Sequence, residues 1–405
     1  MRRIVVMACL PGLVGAMASA QPASEVLVLW GDREPPRGTV TGVDLQGVQV
    51  VTGDGVGTVL GWDVVREVVG ERAGAFERIR EEARAVWRAS VRLEREDRVN
   101  AEPVLEELFE SLAWTRGPTS SFVSRGLLTC RLARGARGAA VAPWLSALVS
   151  EGWSAGRASE SGGDDLIDPG TGLAPGLAPV WLRGDAAHRM ATASLDAAAD
   201  TDSTGRTQLL ATLYQESARF ELSPGEGAER RAAIGDAIHA ADREVLEEDG
   251  VSLVLEIVLA RVGGEEQRVA SRAALRDRLD GRLPGWKEAW VRAGLGRSLV
   301  REPDPETRRR GVIQLLHIPA RLAPEAPGLA SLALAESVIT LRAIGSSGES
   351  ELLRRELLER FPQSEGAGLD EIGAPGRTAP PVGGIALPHE DHAGAPPAKE
   401  GTPRT

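Results

Sequence analysis

The chain has two cysteines in 405 residues, five histidines, one tyrosine, and only two lysines, Lys287 and Lys399, among 47 basic residues. Each scarcity removes a class of chemistry or architecture. A disulfide-stapled fold needs an even set of cysteines, and Cys9 lies in a segment expected to be removed, which leaves Cys130 alone. Cys130 sits in the run SSFVSRGLLTCRLARG and reads as a small buried side chain, not a nucleophile. His188, His239 and His317 are isolated; His389-Glu390-Asp391-His392 is dense but lies in a glycine- and proline-rich tail without the H-E-x-x-H spacing of a zinc protease. No cofactor or metal is expected. With a net charge of −11, the chain lacks the basic face that phosphate backbones require. Its one dense basic run, Arg308-Arg309-Arg310, follows Glu302, Asp304 and Glu306. No nucleic-acid partner is expected, and no membrane span in the mature chain, since no internal apolar run approaches the ~20 residues a span needs.

Catalytic signatures are missing too. There is no G-x-S-x-G elbow, phosphate loop or dinucleotide fingerprint. GLGRS (294–298) carries glycines but follows a helix instead of a strand. DDLIDPGTG (164–172) lacks the alternating ligands and final glutamate of a calcium loop and reads as a solvated turn. The paired acids Glu106-Glu107 and Glu247-Glu248 read as helix surface.

What is present begins with an export signal. Arg2 and Arg3 precede an apolar stretch from Ile4 to Met17, and Ala18-x-Ala20 before Gln21 is a secretory cleavage pattern. Residues 1–20 are therefore expected to be a signal peptide and the protein to be exported, periplasmic or extracellular. Residues 21–70 are rich in Val, Thr and Gly and predict four or five short antiparallel strands with Trp62 inward. The spacing GxVxxVDxxGVxVxTGDG followed by GWDVV resembles small SH3-like modules of exported bacterial proteins. The period then becomes helical. Residues 71–150 form a first helical region, with Asn100 a predicted N-cap; 151–184 form a Gly/Pro-rich loop or linker joining two helical halves; 185–362 form a second helical region. VSLVLEIVLARV (251–262) is predicted to be a central helix, and Asp304-Pro305-Glu306 a helix start. From residue 363 to 405, eight glycines and seven prolines against five large aliphatics predict a disordered tail.

The last two hairpins resemble tetratricopeptide-type helical repeats. Trp290, Ala293 and Gly294 fall at the W-x2-L-G opening of that repeat, and Pro319 near its closing proline. In the next unit Leu341 matches the first-helix core, Gly345 the turn, Ser350 the small crossing residue, Leu357 the second-helix core and Pro362 the terminal proline. The closing prolines stand farther apart than the ~34 residues of that family, and Arg354 replaces an aromatic. The whole chain resembles an exported protein of a planctomycete-like bacterium with a GC-rich genome. The expected fold is thus mainly α: an α-solenoid of tetratricopeptide-like hairpins, with an SH3-like β module in front and a disordered tail behind. The function expected of it is that of a non-catalytic scaffold binding a protein or peptide on a concave surface. Two alternatives stand beside it. One is a secreted hydrolase with carboxylates near the 151–180 loop; the other is a cell-wall or polysaccharide binder using Trp30 and Trp62 of the β module.

Overall fold

In a computed structural model, residues 26–31, 34–152, 166–178, 190, 195 and 205–373 are described. The predicted cleavage residues Ala18, Ala20 and Gln21, the His389–His392 cluster, and His188 lie outside them. The chain is mainly helical, with a small antiparallel sheet region near its N-terminus.

Among the described residues, alternating Val and Thr broken by glycines give five strands in two sheets. β1 (Val26–Leu29) pairs antiparallel with β5 (Val65–Val69). β2 (Gly38–Asp44), β3 (Gly47–Thr52) and β4 (Gly57–Leu60) form the second sheet in that order, with Val40 opposite Val50. Val40, Val48 and Val50 point inward while Gln49 between them is exposed, the period-two pattern of a half-buried sheet. Trp62 is 1% exposed and donates its indole N–H to the Asp44 carbonyl at 3.0 Å.

This β region has no core of its own. α1 (Ala73–Glu77), α2 (Arg80–Glu94), α3 (Arg98–Leu112) and α4 (Pro118–Ala133) contribute Phe76, Val86, Leu105 and Val123 to one cluster that also holds Leu27, Val40, Val50 and Trp62. Gln46, in the β2–β3 turn, locks the seam. Its Oε1 accepts from the Ser120 backbone N–H at 3.1 Å, so it satisfies an open donor at the start of α4. Its Nε2 donates to Thr115 Oγ1 at 2.8 Å, and its carbonyl accepts from Thr119 Oγ1 at 2.8 Å.

Asn100 is not the N-cap of α3. The helix begins two residues earlier, and the Asn100 amide donates back to both Asp97 carboxylate oxygens, at 2.8 and 3.0 Å. α4 packs closely on α5 (Arg137–Glu151) through buried serines: Ser124 and Ser146 share a hydrogen bond of 2.9 Å, and Ser150 donates to Ser120 at 3.2 Å.

The stretch expected to be a solvated turn inside a linker is instead partly interior. Between residues 166 and 178, Ile167, Thr171, Leu173, Ala174, Leu177 and Ala178 are buried. Three backbone carbonyls of this segment are gripped by side chains. Trp144 of α5 donates to Gly172 O at 2.9 Å. Arg206, at the start of α6 (Arg206–Leu222), donates to Thr171 O at 3.0 Å, and Tyr214 of α6 donates to Leu177 O. After a 3-10 turn at Pro224–Glu226 come α7 (Gly227–Ala240), α8 (Arg243–Glu247) and α9 (Asp249–Val262). α9 is the apolar run predicted as a central helix, and Val251, Leu253, Val254, Ile257 and Val258 are all buried.

Two compact units divide the chain, the first ending at Arg268 and the second beginning at Val269. The division falls inside α10 (Glu265–Asp280), not in the 151–184 stretch, because the described part of that stretch is packed between helices of the first unit.

In the second unit follow α11 (Gly285–Leu299), α12 (Pro305–His317), a π-helical turn (Ile318–Leu322), α13 (Pro327–Ala343) and α14 (Ser347–Arg360). Each helix from α11 to α14 packs on the next. Asp304 caps α12, its Oδ2 accepting from the Thr307 N–H at 2.8 Å and the Thr307 hydroxyl at 2.6 Å. α11 and α12 cross where two glycines meet. A Cβ on Gly296 would stand 2.7 Å from Leu315 Cδ2, and one on Gly311 would stand 2.8 Å from the Val300 backbone N. Gly296 of GLGRS therefore serves a helix crossing.

Residues 363–373, expected within the disordered tail, fold back instead. They end in α15 (Asp370–Gly373), whose buried Ile372 joins Leu334, Val338 and Leu357 in one cluster. Sparse aliphatics predicted too little burial, but α13 and α14 already offer a surface for Ile372 and Leu369.

Candidate functional site

The first unit carries a cavity of about 350 Å³ where β1, β5, α1 and α2 meet, lined by Trp30, Arg66, Glu67, Phe76, Arg80 and Arg84. Backbone pairing sets its floor: Trp30 continues β1 beyond its last residue by donating its N–H to Val64 O at 2.9 Å. The Trp30 indole then stacks on Trp87 of α2, with centroids 3.9 Å apart and planes at 13°. β5 supplies Arg66 and Glu67. α2 supplies Arg80 and Arg84, four residues apart and therefore on one face.

The electrostatics of these three arginines differ. Arg84 pairs with Glu81 at 2.9 Å, and Arg80 pairs with Glu77 while its guanidinium lies 5.5 Å over the Phe76 ring. Exposed i,i+3 pairs of this kind hold little free energy, well under 1 kcal/mol, so a ligand carboxylate competes for them easily. Arg66 lies 5.5 Å over the Trp30 ring and has no carboxylate partner among the described residues. The Trp30 indole N–H is buried and has no acceptor among the described residues. The lining offers ring surface and N–H donors, an assembly suited to holding a ligand. It contains no Ser, Cys, His or Lys to act as nucleophile.

The other candidates disperse. Asp168 is occupied by its own turn, its Oδ2 accepting from the Thr171 N–H at 2.9 Å and the Thr171 hydroxyl at 2.6 Å. Glu151 accepts from Arg125 at 2.9 Å and Ser121 at 2.8 Å, and Glu248 pairs with buried Arg206 at 2.8 Å. Among the described residues no group of three or more His, Cys, Asp and Glu stands close enough to hold a metal ion. His317 ends α12, where burial, then Arg292 and Arg321, hold its imidazole below the ordinary histidine value. Trp62, a candidate for stacking on sugars, has no face to offer one.

The residues singled out by the tetratricopeptide resemblance belong to the second unit, and none of them lines the cavity. Trp290, Ala293 and Gly294 are buried in α11, and Pro319 is buried in the π-helical turn, where its carbonyl accepts from Arg360 at 3.0 Å. Leu341 lies in α13. Gly345, with φ +82°, turns the chain between α13 and α14 in a conformation that a side chain would strain. Ser350 is buried where α14 meets α13, donating to Val338 O at 3.1 Å; Leu357 is buried and Pro362 exposed. These are packing positions.

Cys130 is buried in α4, and desolvation, reinforced by Glu102, raises its thiol to about 11. It is expected to resist iodoacetamide at pH 8 in the folded chain and to react fully in denaturant, since the thiolate is the nucleophile. Mass spectrometry of labelled peptides checks this, and rapid labelling of the native chain would place Cys130 in an open site.

Sequence reasoning reached Trp30 as a possible stacking residue but missed its partners. The i,i+4 arginines of α2 carried a usable signal; the approach of Trp87 and Arg66 to Trp30 depends on the β-to-helix packing. No protein-family model, curated protein or solved structure significantly matches this chain.

Proposed function

We propose that the protein is a non-catalytic, exported scaffold, in which an SH3-like β module leads into an α-solenoid of helical hairpins and a protein or peptide partner is bound. The observation that carries this reading is the Trp30 cavity, which combines ring surface and guanidinium donors. Helix order supports the solenoid, because α2 to α5 in one unit and α11 to α14 in the other each pack on their chain neighbours, the arrangement that generates extended binding surfaces. A hydrolase site beside the 151–180 loop gains no support from Asp168, Glu151 or Glu248, each of which is committed to a partner. Sugar binding through the β module would have to use Trp30 with one face already covered by Trp87.

Selection from a random peptide library on the folded chain from residue 21 onward tests the scaffold. Enrichment of a consensus that binds with micromolar affinity is expected; no enrichment overturns the binding reading. Export has its own test. Expression in a bacterium with a general secretory pathway is expected to yield a chain beginning at Gln21, and Ala18→Arg to leave the precursor uncleaved, as read by intact mass. An intact N-terminus on the wild-type chain would remove the export assignment.

A further inference from the structure

We propose that the Trp30 cavity recognises a carboxylate of a peptide ligand, with the exposed Arg66 guanidinium as its open donor and the Trp30 indole N–H, buried and unpartnered among the described residues, as a second. Buried polar groups in native proteins have hydrogen-bond partners almost without exception, and the indole N–H of Trp30 is buried without one among the described residues. Stacking on Trp87 at 3.9 Å and 13° fixes the ring, so the N–H cannot swing out to find an acceptor elsewhere. Arg66 lies 5.5 Å over that same ring, which puts a planar, two-pronged cation on the residue that carries the unfilled indole donor. A carboxylate has two oxygens with about four lone-pair sites, enough to accept from a guanidinium fork and from a third N–H. Arg80 and Arg84 of α2 also line the cavity, each held by a nearby acid, Glu77 and Glu81. They are available for exchange with a ligand carboxylate at little cost.

Charge decides between carboxylate and phosphate. Glu67 lines the cavity beside Arg66, so the site tolerates one negative charge better than the nearly two of a phosphate monoester at neutral pH. The size agrees as well: about 350 Å³ lies at the small end of ligand pockets and suits an acidic side chain or a chain terminus.

This inference rests on the peptide-binding reading, and the test separates the two. Four probes are titrated into 15N-labelled protein: an acetylated, amidated glutamine hexapeptide carrying three glutamates; the all-glutamine hexapeptide with a free C-terminus; the same peptide amidated; and inorganic phosphate. The probes bearing carboxylate are expected to move one indole N–H resonance, assigned to Trp30 by its loss in Trp30→Phe. The tighter of the two identifies side chain or terminus as the source. Arg66→Ala, at an exposed position, is expected to weaken binding at least tenfold. Trp30→Phe keeps a stacking ring and is expected to weaken it three- to tenfold, while Arg309→Ala in the second unit changes nothing. Equal binding of the amidated all-glutamine peptide, indifference to both cavity substitutions, or tighter binding of phosphate would each overturn the assignment. Library peptides that bind yet ignore Arg66 and Trp30 would overturn it while leaving the scaffold in place.

Discussion

Glu336→Ala is expected to cost the second unit about 3–5 kcal/mol, enough to unfold most of it at physiological temperature. Glu336 of α13 faces Arg297 of α11 at 3.7 Å, and the arginine side chain is fully buried. Removing the carboxylate takes away a charge that faces a guanidinium buried in a low-dielectric interior. Arg297 has no route to solvent, unlike the rim arginines of α2, so the penalty is not relieved by snorkelling. Breaking such a pair is far worse than never having it, which gives the control. Arg297→Met with Glu336→Leu fills the same volume with apolar atoms and is expected to recover most of the loss. Guanidinium denaturation followed by tryptophan fluorescence measures both, since Trp290 lies in α11. A single variant within about 1 kcal/mol of wild type, or a double variant no better than the single, would refute the role given to this pair.

Trp62→Ala is the companion expectation in the first unit, at about 3–5 kcal/mol for a large aromatic removed from a core. The indole is 1% exposed, packs 5.5 Å from Phe76, and ties the Asp44 carbonyl to the core. Its own backbone N–H reaches Thr119 at 3.1 Å, so the loss is felt in the helices and not only in the strands. Trp62→Phe is expected to cost less, since most of the apolar volume remains. If Trp62 served a polysaccharide surface, alanine would leave the melting temperature nearly unchanged and abolish binding instead. Thermal unfolding by circular dichroism at 222 nm, which reports helix, therefore distinguishes the two roles.

Where one element's own residues decide its structure, the sequence was readable. Asp304-Pro305 started α12, Gly345 turned α13 into α14, and the apolar run of α9 was a helix at the predicted place. The readings that failed depended on residues far apart in the chain. Glycine and proline between 166 and 178 suggested exposure, yet Trp144, Arg206 and Tyr214 supply the donors that let this irregular backbone go inside. Nothing local marks Arg297 as buried; Glu336 of α13 comes from a distant part of the chain to face it. For the cavity, half was visible: α2 announces two arginines on one face, but nothing local says that Trp30 and Arg66 arrive beside them.

The Gln46 seam bears on how the protein can be cut and reused. Composition places a border at residues 70–71, and a chain beginning at residue 71 would look like a tidy helical fragment. It would also lose the acceptor for the Ser120 amide of α4 and the strand half of the apolar cluster that Phe76 and Val86 share with Leu27, Val65 and Val68, leaving apolar surface that invites association with a neighbour. The five strands thus serve as a lid that keeps the first helices soluble, and they are inherited, truncated or transplanted only together with them.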